Sequence, residues 1–283
     1  MKVAAVQLNS SADPAANLAV ADRLTRAAAA DGAQLVVLPE KWTAMGGDEQ
    51  LRAGAETLDG AAVGWARAIA RELGVELVAG SILERVPGRA KLANTSIHIG
   101  ADGALLAVYR KMHMFDVEVG GRAYRESALE DPGEEIVLSR TAGGVELGLS
   151  ICYDLRFPEL YRILAVRGAR IVALPAAFTL TTTRDHWSTL VRARAIENQV
   201  FMIAANQFGE HAAGQHSGGR SMIVDPWGVV LAQAADGEGH VIAEVDLERQ
   251  REIRERLPAL ANRRPEAYRW PERASEPTAE AMA

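Results

Sequence analysis

The sequence predicts an α/β fold in which strands and helices alternate along the chain. Roughly eleven short apolar runs, rich in Val, Ile and Leu, have the length of buried strands. Roughly five longer segments, rich in Ala and Arg, have the apolar spacing of helices. Because the two kinds of segment are interleaved rather than grouped into halves, a layered domain of sheets and helices is favoured.

The turn and cap residues place these elements along the chain. Strands are predicted at residues 3–8, 35–38, 77–83, 95–99, 105–108, 145–151, 171–174, 201–205, 221–224, 229–232 and 241–245. Helices are predicted at residues 14–31, 60–73, 157–168, 184–199 and 247–257. Asp13 and Pro14 suit the N-cap and first position of the first helix, and Asp102-Gly103 indicates a hairpin turn. Glycines expected just beyond helix ends are Gly32, Gly74 and Gly168.

Length and composition are those of a globular protein. The chain has 283 residues, of which 48% are hydrophobic and 24% charged. It contains no internal repeat and no long linker, so we expect a single domain over residues 1–270. Residues 271–283 are polar and without periodicity, and we expect a disordered tail or an arm on a partner subunit. Residues 210–219 are rich in Gly and Ala and are expected to form a surface loop.

Charge and cysteine content exclude several classes of function. The net charge of −6 argues against a nucleic-acid partner, which would require a basic face. The sequence has no run of about 18 apolar residues, so no membrane span is expected. The single cysteine excludes an intramolecular disulfide. We therefore expect a cytoplasmic protein that binds neither nucleic acid nor membrane.

Three reactive side chains directly follow predicted strands. Glu40 follows the second strand, Lys111 the fifth and Cys152 the sixth. Clefts in α/β sheets lie at the carboxyl ends of strands. Each residue alone has a simpler interpretation, as a solvated turn carboxylate, an exposed cation or a small buried thiol. Their shared position at strand ends favours one common site.

These residue types suit nucleophilic attack on a carbonyl carbon. A thiol with an ordinary pKa of about 8.5 must lose its proton to attack, and a neighbouring carboxylate can accept that proton. A buried ammonium group and the backbone N–H of Tyr153, which follows the cysteine, can stabilise the oxyanion that forms. The alternative is a Cys–His pair that uses one of the six histidines as the base.

The cysteine segment carries a resemblance to a known family. The sequence ICYDLRFPE at residues 151–159 resembles the cysteine motif of the Nit-type amidases in the nitrilase, or carbon–nitrogen hydrolase, superfamily. The segments around Glu40 and Lys111 resemble the other two members of its Glu–Lys–Cys catalytic set. The segment around Glu126 resembles the loop that carries a second glutamate. The resemblance extends over residues 3–270.

This resemblance implies both a fold and a reaction. The implied fold is a four-layer αββα sandwich, with subunits paired as a homodimer or a larger even oligomer. The implied catalytic residues are Glu40, Lys111 and Cys152, with Glu126 orienting groups in the pocket. The implied reaction is hydrolysis of a linear amide through a cysteine thioester, with no metal and no organic cofactor.

Six further residues are candidates for the substrate pocket. They are His113, Arg125, Phe178, Thr179, His186 and Trp187. Core packing is the competing interpretation for Phe178 and Trp187. Two pairs have the i, i+3 spacing of helix ion pairs, namely Arg194 with Glu197 and Arg156 with Glu159.

The substrate can be expected only from finer resemblance. Among the Nit-type amidases, Arg125 and residues 194–197 and 225–228 look most like those acting on deaminated glutathione, which implies cleavage to 2-oxoglutarate and cysteinylglycine. Three alternatives stay open: an omega-amidase acting on 2-oxoglutaramate or related dicarboxylic monoamides, a hydrolase of N-carbamoyl compounds or nitriles, and an inactive binding protein. Arginines that could bind a substrate carboxylate are Arg122, Arg125, Arg184 and Arg192.

Overall fold

Two six-stranded sheets form the centre of the structure, a computed structural model that describes residues 1–268. The strands are β1 (Lys2–Gln7), β2 (Leu35–Val37), β3 (Glu76–Glu84), β4 (Ala93–Ile99), β5 (Leu105–Arg110), β6 (Asp116–Val119), β7 (Arg122–Arg125), β8 (Leu138–Arg140), β9 (Glu146–Leu149), β10 (Ile171–Ala176), β11 (Phe201–Asn206), β12 (Phe208–Ala212), β13 (Gln215–Gly218), β14 (Met222–Val224), β15 (Val230–Gln233) and β16 (Gly239–Glu244).

The helices are distributed between the strands. They are α1 (Pro14–Ala30), α2 (Asp48–Ala53), α3 (Ala61–Leu73), α4 (Pro158–Val166), α5 (Leu180–Thr182), α6 (Ser188–Asn198) and α7 (Leu247–Arg256). Three 3₁₀ turns are present at Glu126–Ala128, Cys152–Arg156 and Pro265–Ala267, and a π-helical turn at Thr183–Trp187 joins α5 to α6. Within residues 1–268, none of these helices has the length and apolar character needed to cross a membrane.

Each sheet has a parallel centre and antiparallel edges. The first sheet has the order β16-β1-β2-β3-β4-β5, in which β1, β2 and β3 are parallel. The second has the order β15-β14-β11-β10-β9-β8, in which β9, β10 and β11 are parallel. Two separate hairpins, β6–β7 and β12–β13, lie outside the sheets.

Burial along β1 shows that the sheets stack as inner layers between helices. Val3 and Ala5 pack in the cluster that joins the two sheets, whereas Ala4 and Val6 pack with α1 and α3. Successive strand residues point to opposite faces, so both faces of this sheet are covered. On the far side of the second sheet, α4 and α6 contact β9, β11 and β14. The order of layers is helix, sheet, sheet, helix, which confirms the expected αββα sandwich.

Cap and turn chemistry explains where several elements begin and end. The Asp13 carboxylate accepts the N–H groups of Ala15 (2.9 Å) and Ala16 (3.2 Å), which confirms it as the N-cap of α1. Gly74 ends α3 at φ +66°, and Gly103 turns the chain between β4 and β5 at φ +80°. Glycine adopts these left-handed angles without steric cost.

The prediction of a surface loop at residues 210–219 is wrong. The segment lies largely in the hairpin β12–β13, which turns at Gly214 with φ +74°. His211 anchors the hairpin from within, because its Nδ1 lies 2.8 Å from the Ser10 carbonyl oxygen and its Nε2 lies 2.9 Å from Ser217 Oγ. Tertiary contacts of this kind leave no periodic signal in the sequence.

Other boundaries also differ from expectation. The short strands β6, β7 and β8 were not predicted, because they are only partly buried and lack an apolar run. The helix expected at residues 184–199 starts as the π-helical turn and becomes α-helical only at Ser188. The expected tail at residues 271–283 and the domain boundary at residue 270 lie outside the described residues.

Candidate active site

A cavity of about 230 Å³ opens where strands from both sheets end at the same edge of the sandwich. Residues following β2, β5, β9 and β10 line it. Glu40, Lys111, Glu126 and Cys152, which we call the floor, lie together at its base. The four residues that the sequence singled out for chemistry are therefore brought into one place.

Glu40 is held by contacts to both sheets. Its backbone N–H donates to the carbonyl oxygen of Ala176 at 3.3 Å, and its own carbonyl accepts the side-chain amide of Gln207 at 2.9 Å. Its Oε1 accepts Nδ2 of Asn94 at 2.8 Å. The Cys152 thiol lies near enough for the Glu40 charge to raise the pKa of the thiol. A carboxylate that is 3% exposed and fixed in this way can accept a proton without moving.

Lys111 joins the two glutamates of the floor. Its N–H donates to the carbonyl oxygen of Asn94 at 2.9 Å, which continues the pairing of β5 with β4. Its Nζ lies 2.9 Å from Glu40 Oε1 and 2.9 and 2.7 Å from the two oxygens of Glu126. Glu126 Oε2 also accepts the N–H of Phe115 at 2.8 Å. The ammonium group is 1% exposed, and its hydrogen bonds go to negatively charged carboxylate oxygens.

Cys152 stands on a strained turn rather than within a strand. The strand β9 ends at Leu149, and Cys152 opens the next 3₁₀ turn at φ +46°, an angle that costs a residue with a side chain about 1–3 kcal/mol. Asp154 holds this turn from inside the protein. Its Oδ2 accepts the N–H of Ile151 at 2.8 Å and the hydroxyl of Tyr109 at 2.6 Å. The turn places the thiol at the cavity floor.

The surroundings of Cys152 keep its thiol protonated at rest. Burial raises the pKa of Cys152 well above its usual range, and the nearby Glu40 carboxylate raises it further. Lys111 and a backbone hydrogen bond from Ala177 lower it by less. A thiol in this state would need a base to become a thiolate, and Glu40 is the nearby carboxylate that acts on its pKa.

The opposite charges of the floor stabilise one another. Burial alone would lower the pKa of Lys111, but Glu126 and Glu40 outweigh burial and hold that pKa well above its usual value. Burial alone would raise the pKa of Glu126, but Lys111 and Lys41 outweigh it and hold that pKa well below its usual value. Both groups are therefore charged at neutral pH.

Comparison with known proteins identifies the family of this chain. The model of the carbon-nitrogen hydrolase family matches residues 2–255. The chain belongs to the carbon–nitrogen hydrolase family. A deaminated glutathione amidase from Synechocystis is 41% identical over 265 residues, covering 92% of this chain and 97% of that protein. A human omega-amidase is 38% identical over 268 residues, covering 94% and 96%.

Solved structures of the same superfamily share the fold. The Nit3 protein of Saccharomyces cerevisiae, a member of branch 10 of the nitrilase superfamily, aligns with a TM-score of 0.85 and 32% identity, covering 95% of this chain and 97% of that one. A variant of an amidase from Nesterenkonia sp. AN1 aligns with a TM-score of 0.76 and 28% identity, covering 94% of both chains. In that structure the acetamide moiety of fluoroacetamide is attached to the active-site cysteine.

This carbon–nitrogen hydrolase has a second lysine at the floor that the sequence did not single out. Lys41 Nζ lies 2.9 Å from Glu126 Oε1 and 2.5 Å from Glu130 Oε1. Asn94 and Asp154 were likewise missed as supports of Glu40 and of the Cys152 turn. Lys41 directly follows Glu40, and Asp154 lies within the cysteine motif. In both cases the closeness in sequence to a candidate catalytic residue could have pointed to a role in the site.

The wall and opening of the cavity are formed by the two hairpins and the Cys152 turn. We call Arg122, Arg125, Arg156, Gln215 and His216 the rim, because all five line the cavity away from its floor. The Gln215 amide bridges the hairpins, with its nitrogen 3.2 Å from the Gly46 carbonyl oxygen and its oxygen 2.7 Å from Arg122 Nη2. Arg156 lies over the Phe178 ring at 5.5 Å. Within residues 1–268 neither Arg122 nor Arg156 forms an ion pair with a carboxylate.

The structure separates the six candidate pocket residues into two groups. Arg125, Phe178 and Thr179 line the cavity as expected. His113 does not, because its Nδ1 lies 2.7 Å from Asp154 Oδ1 and its ring stacks on Phe157 at 3.6 Å. It supports the cysteine turn from the side.

The remaining two candidates are also corrected. Trp187 is fully buried against Phe178, with ring centroids 4.9 Å apart, and belongs to the core. Its Nε1 donates to the carbonyl oxygen of Arg220 at 2.8 Å, which satisfies its polar atom. His186 faces Arg156, with Nδ1 3.3 Å from the guanidinium nitrogens, and borders a shallow depression beside the cavity.

The two expected helix ion pairs have different outcomes. Arg194 Nη1 lies 2.8 Å from Glu197 Oε1, and its Nε donates to the Leu155 carbonyl oxygen at 2.9 Å. Arg194 thus braces the cysteine turn from α6. Arg156 does not pair with Glu159, because its side chain turns towards the cavity. Among residues 1–268, no three His, Cys, Asp or Glu side chains are grouped to hold a metal ion.

Proposed function

We propose that this carbon–nitrogen hydrolase cleaves a linear amide through a thioester on Cys152. The observation that carries the proposal is that a buried thiol, carboxylate and ammonium group lie together at the floor of one cavity. The complete set also argues against an inactive binding protein, which would have no need of a strained cysteine turn. The named amidase relatives support the same reaction class.

In acylation, Glu40 accepts the Cys152 proton while the sulfur bonds to the amide carbon. The carbonyl electron pair moves to oxygen, and this oxyanion lies near the Lys111 ammonium and the Tyr153 N–H. When the carbonyl re-forms, the C–N bond breaks and the leaving nitrogen takes the proton from Glu40. The products of this step are the free amine or ammonia and an acyl-enzyme.

In deacylation, the same carboxylate works again as a base. Glu40 accepts a proton from water, whose oxygen attacks the thioester carbon under the same oxyanion donors. The C–S bond then breaks, and the sulfur takes the proton from Glu40 to restore the thiol. Glu126 stays ionised throughout and keeps Lys111 in position through two hydrogen bonds.

The rim supports a substrate that carries carboxylates. Arg122 and Arg156 face the cavity, and an arginine can bind a carboxylate through two parallel hydrogen bonds. Of the four arginines expected to bind a carboxylate, Arg122 and Arg125 line the cavity, and Arg156 joins them although the sequence did not suggest it for this role. The other two lie elsewhere, because Arg184 is exposed and bonded to Asp185, and Arg192 donates to the Gly228 carbonyl oxygen. We therefore assign carboxylate recognition to the rim arginines.

The substrate we propose is deaminated glutathione. Its hydrolysis would give 2-oxoglutarate and cysteinylglycine, and its two carboxylates lie at opposite ends of the molecule. A relative named deaminated glutathione amidase is 41% identical to this chain. The second candidate is an omega-amidase activity on 2-oxoglutaramate, which a 38% identical relative of that name supports.

A comparison of kcat/KM for four substrates tests this proposal. They are deaminated glutathione, 2-oxoglutaramate, an N-carbamoyl amino acid and an aliphatic nitrile. We expect deaminated glutathione to have the highest value. A tenfold advantage for any other substrate, about 1.4 kcal/mol in transition-state binding, would contradict the substrate assignment. Absence of turnover on all four would contradict the amidase reaction.

We also propose that two copies pair through the face formed by α4 and α6. Ile163 and Val166 of α4, Ile196 of α6 and the neighbouring Trp227 are all exposed, Trp227 to 55%. Large exposed apolar patches of this kind mark protein contacts. Light scattering should give a mass near twice 30.4 kDa, and a single-chain mass at micromolar concentration would contradict the pairing.

We further infer a cytoplasmic location. The proposed nucleophile is the only cysteine of the sequence, and it must stay a free thiol to react. A reducing compartment maintains free thiols, whereas an oxidising one favours disulfides with other molecules. Recovery of the protein in an extracellular or periplasmic fraction would contradict this inference.

A further inference from the structure

Lys41 lies in a position that the proposed reaction does not explain. Its side chain is 11% exposed, and its Nζ bridges Glu126 Oε1 at 2.9 Å and Glu130 Oε1 at 2.5 Å. Among the described residues, its side chain forms no hydrogen bond or ion pair with Glu40 or Cys152. Lys41 and Glu130 thus extend the floor to a cluster of two lysines and three glutamates, although the proposed chemistry uses one lysine and one base.

The backbone is strained so that Lys41 can reach this position. In an extended strand, Glu40 and Lys41 would point to opposite faces. Lys41 instead has φ +49°, a left-handed angle that is unfavourable for a residue with a side chain. Its N–H donates to Ser81 Oγ at 3.0 Å, which fixes the turn. Both side chains consequently reach the same cluster.

Glu130 is the acid that makes a second lysine necessary. Its side chain is 1% exposed, and among the described residues its Oε2 has no hydrogen-bond partner. It faces Lys41 from the β2 turn, Lys111 from the end of β5 and Glu126 from the neighbouring 3₁₀ turn. Burial, with help from the Glu126 charge, raises the pKa of Glu130 to about 7 against the opposing effect of Lys41.

We propose that Lys41 is a positioning residue that compensates the charge of Glu130, keeps Glu126 ionised and so holds Lys111 in place. This role rests on the proposed function of the floor. Without Lys41, Glu126 and Glu130 would be adjacent acids that share a proton. A half-protonated Glu126 would bind Lys111 less firmly, and Lys111 is the cation that acts on the Cys152 thiol.

The proposal predicts the direction of a measurable shift. Lys111 lowers the pKa of Cys152, so weakening its position must raise that pKa. The rate of Cys152 alkylation by iodoacetamide follows the thiolate fraction. Since Cys152 is the only cysteine, the label reports on this thiol alone and requires no substrate. The alkylation profile should therefore move to higher pH when Lys41 is removed.

The experiment measures alkylation rate against pH for Lys41→Met, Glu130→Gln and the double variant, with kcat and KM for the amide substrate. The Lys41→Met profile should move up by about one pH unit, a tenfold slower reaction at a fixed pH below the pKa. Its kcat should fall more than its KM rises. Glu130→Gln should move the profile to lower pH, and the double variant should return towards the native profile. Lys2→Met, which removes an exposed lysine, is the matched control and should change nothing.

Three outcomes would overturn the proposal. They are an unmoved Lys41→Met profile, a double variant no closer to the native protein than Lys41→Met, and an upward shift in Glu130→Gln. Thermal unfolding identifies a variant that fails to fold. If Lys41→Met fails to fold, the direction in which the alkylation profile of Glu130→Gln moves tests the proposal by itself. If the native protein hydrolyses no amide while the profiles shift as expected, the proposed function fails and the positioning role stands.

Discussion

The floor and the rim of the cavity are built in opposite ways. At the floor, each charged group is buried and paired with an opposite charge, as in Lys111 with Glu40 and Glu126. At the rim, Arg122 contacts the neutral Gln215 amide and the Tyr124 ring, with no carboxylate partner inside residues 1–268. The floor is thus complete without a ligand, whereas the rim has charge available for one.

This difference assigns different tasks to the two regions. Buried charges that already satisfy one another keep a fixed geometry, which favours bond-breaking chemistry. Unpaired arginines near solvent gain most from an incoming carboxylate. Changes at the floor should therefore lower kcat for every amide, and changes at the rim should raise KM only for carboxylated ones.

The largest effect is expected for Glu40→Gln at the floor. Glutamine cannot accept the Cys152 proton, so acylation and deacylation should both slow by roughly 10²–10⁴-fold, the contribution of a general base. Single-turnover kinetics with a chromogenic amide measures both steps.

Glu126→Gln is the matched comparison for this loss. It keeps the size of the side chain and part of its hydrogen bonding to Lys111, so the loss should be smaller than in Glu40→Gln. Equal loss in the two variants would mean that Glu126 also transfers protons.

The next effect should come from Asp154, which supports the floor from behind. Asp154→Asn replaces one acceptor oxygen by a donor, facing the N–H of Ile151, the Tyr109 hydroxyl or His113. A buried unpaired group should cost about 1–3 kcal/mol of unfolding free energy. A displaced cysteine turn should lower kcat by about 10²-fold. Urea unfolding and steady-state kinetics measure the two effects.

Tyr109→Phe removes one of these hydrogen bonds without adding a donor. It should cost only about 1 kcal/mol and leave the turn in place. If Asp154→Asn were as active as the native enzyme, the cysteine turn would not depend on this carboxylate.

The smallest effect should come from the rim. Arg156→Met should raise KM for a carboxylated amide by about 10–100-fold, the value of a charged hydrogen bond of roughly 1.5–3 kcal/mol. It should leave a neutral amide of similar size unchanged. The matched control is Arg184→Met, which removes an exposed arginine that is already bonded to Asp185. An equal KM increase for the neutral amide would mean that Arg156 does not act by binding a carboxylate.

The sequence predicts strands that are buried throughout and misses structure that distant polar contacts hold in place. Strands such as β1 and β10 are buried on both faces and appear as continuous apolar runs, so their existence follows from composition alone. The hairpin β12–β13 has no such run, and its inward-facing His211 is fixed by Ser10, about two hundred residues earlier in the chain. Structure that depends on distant contacts of polar residues cannot be predicted from local periodicity.

For the site, the local sequence predicted where the reactive residues lie but not which residues bond to them. Glu40, Lys111 and Cys152 follow strands that the sequence predicts, so their placement at one edge could be predicted. Lys41 depends on a left-handed turn that the sequence does not indicate. Spacing predicts an ion pair of Arg156 with Glu159 that the structure does not contain, and Trp187 packs in the core rather than in the pocket.

The most direct test of the central claim is the mass of the protein during turnover. Mixed with a slow amide substrate and quenched in acid, the native enzyme should gain the mass of the acyl group, located by peptide mapping on Cys152. Cys152→Ala, a small change at a buried position, should fold normally, gain no mass and show no turnover. Turnover by Cys152→Ala, or an acyl group on another residue, would contradict a thioester mechanism at this cysteine.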